Sequence, residues 1–195
     1  MADRDWEAHY RTGDTPWDHG EPVPGLTDFL RDHPQIPKGR AIVPGCGFGH
    51  DAIALAHAGF HVLGMDLSPT AMAEASRRVA HLGWSVGFQH GDFLADSGAN
   101  LEPFDWMFEH TLYCAIQPTR RDEYVASAVR CVRSGGHLLA VHYINPDVEQ
   151  GPPFPCSREE LLQRFEPHFE LLSDWIPRSW DVRSGRERMF WWRRR

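Results

Sequence analysis

The chain has 195 residues, 42% hydrophobic and 24% charged, enough apolar material for one well-buried domain with no need of a second. A formal charge of -7, with the basic residues dispersed apart from the terminal Arg193-Arg194-Arg195, argues against a nucleic-acid surface. No stretch approaches the roughly 18 apolar residues of a membrane span, and the start, Met-Ala-Asp-Arg-Asp-Trp-Glu, lacks the apolar core of a secretory leader, so the expected setting is the cytoplasm.

In chain order, Ala41 to Pro44 predicts a first strand, and Asp51 to Ala58 a helix that stops at Gly59. His61 to Asp66 is a second strand. Ser68-Pro69 then opens a helix with a capping serine and a proline in the first turn, running to Leu82-Gly83. Ser85 to His90 forms a third strand leading into Gly91-Asp92-Phe93, and Phe104 to Glu109 a fourth, followed by a helix from Thr119 to Val132. A tight turn at Ser134-Gly135-Gly136 enters the fifth strand, His137 to Tyr143, and Ser157-Arg-Glu-Glu160 has the form of a capping box for a short helix ending near Phe165. Phe169 to Ile176 and Arg188 to Trp192 read as an antiparallel pair at one edge. This alternation predicts an α/β fold, a doubly wound, mostly parallel sheet whose ligand lies across the carboxyl ends of the strands. Gly45, Asp66, Asp92 and Glu109-His110 all fall at such ends.

The loop after the first strand carries Gly45, Gly47 and Gly49, and Asp66 follows about 20 residues on, the distance at which a βαβ unit sets an acid on ribose hydroxyls. A dinucleotide fold requires G-x-G-x-x-G, with the helix N-terminus on a pyrophosphate. Here the spacing is G-x-G-x-G; the third glycine's place is His50, and Asp51 beside it is a poor neighbour for a pyrophosphate. S-adenosylmethionine (SAM), with no phosphate and a positive sulfonium, suits an acidic loop better. The four cysteines form no C-x-x-C pair and the 12 histidines sit mostly singly, so no metal is expected.

Three stretches, Val43-Pro-Gly-Cys-Gly-Phe-Gly-His-Asp-Ala52, Gly64-Met-Asp-Leu-Ser-Pro-Thr-Ala71 and Phe108-Glu-His-Thr-Leu-Tyr-Cys-Ala-Ile116, resemble the thiopurine S-methyltransferase family of SAM-dependent enzymes. Trp6-Glu-Ala-His-Tyr10, Thr15-Pro-Trp-Asp-His-Gly20 and Gly151-Pro-Pro-Phe154 are most similar to its thiol and halide methyltransferases. The resemblance implies a Rossmann-like, seven-stranded methyltransferase sheet over a single domain, residues 1–195, with an N-terminal arm at 1–25 serving as lid. It implies that Gly45 and Gly47 pass under the cofactor, that Asp66 holds the ribose diol and that Asp92 with Phe93 borders the adenine. Trp6, Tyr10 and Trp17 would fold over the sulfonium, whose charge an aromatic face attracts; Tyr10 departs from the pattern, because closer relatives often carry a second tryptophan. His110, bordering the cofactor's methyl group, would orient the acceptor or take its proton, although the family also uses arginine or tyrosine there. Trp17, Tyr113 and Phe154 would shape the acceptor pocket.

The reaction expected is an in-line displacement at the methyl carbon by a thiol, bisulfide or halide. Thiopurine-like, selenium or tellurium and natural-product thiol acceptors are the alternatives within the same chemistry, and a SAM-binding module without turnover is the alternative outside it. A nicotinamide-dependent oxidoreductase is disfavoured by His50.

Overall fold

The computed structural model describes residues 4–95, 102–144 and 151–195. Seven strands, β1 (Arg40–Pro44), β2 (His61–Asp66), β3 (Val86–His90), β4 (Phe104–His110), β5 (Val132–Tyr143), β6 (Phe169–Trp175) and β7 (Glu187–Arg194), form one sheet in the order β3-β2-β1-β4-β5-β7-β6. The pairs from β3 through β5 are parallel, while β7 runs antiparallel to both β5 and β6. Strand order reverses between β1 and β4, the switch point at which such sheets bind ligands.

The sheet is covered on both faces, so its central strands are near-continuous apolar runs. Met107, Leu138, Phe190 and Trp192 pack on one side with Tyr124 of α5 (Arg121–Cys131) and Phe165 of α6 (Arg158–Phe165). Trp106, Phe108, Leu139 and Met189 pack on the other with Leu55 of α3 (His50–His57). Edge strand β3 has an exposed and half-buried face pattern.

The two helix starts legible in the sequence form as expected. The Ser68 hydroxyl accepts the Ala71 amide at 3.0 Å to begin α4 (Pro69–Val79), and the Ser157 hydroxyl accepts the Glu160 amide at 3.1 Å to begin α6. Helix α4 stops at Val79 rather than Leu82, and Leu82 and Trp84 beyond it are exposed, with no core to hold another turn. The Ser134-Gly135-Gly136 turn proves to be a bulge inside β5: Val132 pairs with Phe104 and His137 with Trp106, and Gly135 takes up the excess chain at φ +73°.

The N-terminal segment contains two helices that hydrophobic periodicity did not announce, α1 (Trp6–Thr12) and α2 (Pro24–Asp32). Val23 and Leu26 are fully buried and Phe29 nearly so. Val23, Leu26 and Phe29 join the core that packs against the sheet, while Tyr10 of α1 packs with Ala71, Met72 and Ala75 of α4.

Candidate active site

A cavity of about 650 Å³ opens at the carboxyl ends of β1, β2 and β4, beneath the N-terminal segment. Trp6, Tyr10, Trp17, Gly45, Gly47, Asp66, Asp92, Phe93, His110 and Phe154 all line it. Tyr113 does not. It is 1% exposed and sits in the core among Tyr124, His142 and Phe165, so its expected place in the acceptor pocket is corrected; neighbours Leu112 and Cys114 take the cavity wall instead. A helical turn after β4 rotates Tyr113 inward, which a reading of strand-end position alone cannot reveal.

One half of the cavity is built on backbone. Gly47 has φ +52°, and a Cβ there would lie 2.7 Å from the Tyr10 hydroxyl, so the loop and α1 meet only because the position is glycine. Asp66 is buried, its Oδ2 accepting the Gly47 amide at 2.9 Å and its Oδ1 the Ser68 amide at 3.0 Å, while burial pushes its pKa above the ordinary carboxylate value. Each oxygen keeps a further lone pair, so a ribose diol fits this carboxylate without displacing either amide. Asp92 Oδ1 accepts the Leu94 amide at 2.8 Å and shapes the turn that brings Phe93 to the cavity.

The N-terminal arm is clasped to this half rather than merely laid over it. The Glu7 carboxylate of α1 accepts from Ser68 Oγ at 2.5 Å, Thr70 Oγ1 at 2.6 Å and the Thr70 amide at 3.2 Å, at the first turn of α4. Those hydroxyls hold the Glu7 pKa below its usual value. Trp17 Nε1 donates to the Tyr10 hydroxyl at 3.2 Å, and the Trp6 and Trp17 rings meet edge to face at 5.3 Å. Both ring faces already receive a cation, the Arg4 guanidinium, at 5.1 and 5.8 Å. A sulfonium is therefore compatible with these walls.

The other half is built from side chains of distant segments. His110 Nδ1 donates to Asp51 Oδ2 at 3.0 Å, and its Nε2 accepts from Arg183 Nη1 at 3.4 Å. Arg183 also donates to the buried Glu187 at 3.2 Å. The Trp180 ring lies 5.7 Å from His110 and stacks on His19 at 3.9 Å, where burial beside Arg183 and His110 pulls the His19 imidazole below its usual pKa. Cys114 is no nucleophile: burial pushes its thiol up to about 12. Behind this wall Glu109 accepts the Tyr113 amide at 2.8 Å and faces His142 at 3.1 Å; burial raises the carboxyl to about 7 and lowers the imidazole to about 3. Glu7, His19 and Asp51 lie in stretches that carry the resemblance, but nothing local marks them, Trp180 or Arg183 for these contacts; the partners of Asp51 and His110 lie 28 to 73 residues away.

Comparison with known proteins agrees with this geometry. Residues 1–189 match the family model described as thiopurine S-methyltransferase. The chain is 32% identical over 172 residues to a probable thiol methyltransferase 2 of Arabidopsis thaliana, covering 86% of this chain and 74% of that one. It is 31% identical over 194 residues to thiocyanate methyltransferase 1 of Brassica oleracea, covering 97% of this chain and 84% of that one. Among solved structures, a TehB-like SAM-dependent methyltransferase from Corynebacterium glutamicum superposes with a TM-score of 0.72 at 19% identity, covering 96% of this chain and 99% of that one. The seven-stranded sheet, the glycine loop closed by Asp66 and a match over nearly the whole sequence agree: the chain belongs to the thiopurine S-methyltransferase family of SAM-dependent methyltransferases.

Proposed function

We propose that this methyltransferase acts on a small soft nucleophile, a thiol, bisulfide or halide, at the half of the cavity around His110. The observation that carries this reading is a pocket with aromatic walls, Trp17, Phe154 and Trp180, and one imidazole held by hydrogen bonds on both nitrogens. The relatives named for thiol and thiocyanate methylation support it. When bound, SAM supplies an electrophilic methyl group open to in-line displacement.

The residues of the chain do the rest. Asp66 would hold the ribose diol, Gly45 and Gly47 would give the backbone room to approach, and Asp92 with Phe93 would border the adenine. Trp6, Tyr10 and Trp17 close over the cofactor and keep water from an anionic acceptor, whose hydration opposes attack. An acceptor that arrives as an anion needs only position and a dry wall. A thiol that arrives protonated also needs a base, and His110 is the group placed to take that proton. No base is available from Cys114, and Tyr113 is turned away.

We read residues 1–195 as one domain with its arm as lid, and the free thiols of Cys46, Cys114 and Cys156 support a reducing, cytoplasmic setting. No helix among the described residues is long and apolar enough to cross a membrane. The test is a headspace assay for methyl iodide and methanethiol alongside a panel of aliphatic and aromatic thiols. Turnover of these small acceptors is expected; turnover confined to thiopurine-like heterocycles would replace this reading.

A further inference from the structure

Asp51 stands in the first turn of α3, and its two carboxylate oxygens face different parts of the molecule. Oδ1 accepts the Val23 amide at 2.8 Å, where the N-terminal arm enters the core. Oδ2 meets His110 Nδ1 at 3.0 Å. A carboxylate only accepts, so that nitrogen carries the proton; Arg183 only donates, so Nε2, 3.4 Å from its Nη1, offers a lone pair. Both neighbours therefore select one neutral tautomer of His110, with the basic nitrogen on the side of Arg183, a residue of the cavity wall.

Resting on the reading of His110 as the proton acceptor, we infer that Asp51 is a positioning residue that sets which nitrogen of His110 is basic and ties that choice to the seating of the N-terminal arm. In the step it serves, Arg183 releases the Nε2 lone pair to the acceptor, the acceptor's S–H bond breaks, the proton passes to Nε2 and the electron pair stays on sulfur. Nδ1–H remains on Asp51, whose negative charge offsets the imidazolium. Arg183 opposes the added charge, and Glu187, 3.2 Å from Arg183 and 3.9 Å from Nε2, compensates it. Glu109 and His19 are further titratable groups whose own shifts include a contribution from His110.

The substitution that separates orientation from structure is Asp51→Asn. Its carbonyl keeps the Val23 hydrogen bond, while its amide donates to Nδ1 and moves the ring proton to Nε2. Nitrogen-15 NMR of the His110 ring in the protein bound to S-adenosylhomocysteine, assigned by its loss in His110→Gln, reads this without any turnover. Protonated Nδ1 in the parent and protonated Nε2 in Asp51→Asn are expected; protonated Nε2 in the parent, or no change in the variant, overturns the inference. In kinetics, Asp51→Asn should lower kcat for an aliphatic thiol, protonated at the assay pH, by roughly 100-fold and lower iodide turnover far less. Equal losses for both acceptors also overturn it. Asp51→Ala removes both hydrogen bonds and should weaken S-adenosylhomocysteine binding as well, and unchanged binding would overturn the link to the arm. A parent that methylates neither acceptor would defeat the proposed function instead, and the NMR result would still decide the role of Asp51.

Discussion

The two halves of one cavity are made differently. The half around Asp66 rests on main chain: two amides hold the carboxylate, a glycine admits the lid, and the residues involved lie in short contiguous stretches. The half around His110 rests on side chains, drawn from the arm, the start of α3, the end of β4 and the segment before β7. A main-chain site can be kept through many sequences because it asks only for backbone geometry and one acid. A side-chain site changes with each substitution. Under the proposed function, recognition of the cofactor and choice of acceptor fall to different halves of a single pocket, and each half can be broken with the other left standing.

The largest effect should come from Asp66→Ala, which removes a charged acceptor and leaves the Gly47 and Ser68 amides without their partner. Loss of S-adenosylhomocysteine affinity on the order of 3 kcal/mol is expected. Calorimetry checks it, and unchanged affinity would remove Asp66 from the cofactor half. His110→Ala should lower thiol turnover by roughly 100-fold, about 2.7 kcal/mol in the barrier, with cofactor affinity retained. Thiol and iodide rates falling together would show that His110 only shapes the wall.

Trp17→Ala tests whether the lid belongs to both halves. The ring touches Trp6 and Tyr10 outside the core of the sheet, so stability should drop by only about 1 kcal/mol while turnover falls further. Melting temperature and activity measured on the same preparation decide it, and parallel losses would assign Trp17 to the scaffold. The smallest effect concerns the clasp. Because Ser68 and Thr70 hold the Glu7 pKa below 4.5, its contribution is fully present above that pH and fades as pH falls through the lowered value. S-adenosylhomocysteine binding should therefore weaken more in the parent than in Glu7→Gln as the buffer is taken below pH 4.5, and stay level in both above it. The same pH slope in both proteins would clear Glu7 of a latch role.

Much of the cofactor half was legible before any coordinates. Glycine has no Cβ, an acid at a strand end has few other uses, and a serine followed by proline starts a helix, so local chemistry alone places Gly45, Gly47, Asp66 and the start of α4. The helix ends and the β5 bulge were less legible, because they depend on what the next turn would pack against. Leu82 is exposed and α4 stops short of it; Val132 finds Phe104 as a partner and β5 begins early. Helix α2 carried its signal in Leu26 and Phe29, but a nine-residue segment after a loop of prolines and glycines shows too few turns for a period to stand out.

The sequence by itself determined the alternating sheet, the glycine loop with its acid and the cofactor class these imply, since each depends on residues close together along the chain. Only the tertiary structure decided which side chains gather around His110. Whether Tyr113 faces core or cavity follows from one turn of backbone after β4, and whether Asp51 is a helix-start acid or the partner of His110 follows from a contact spanning 59 residues. Hydrogen bonds of that kind are set by how strands and helices stack, and no local spacing encodes them.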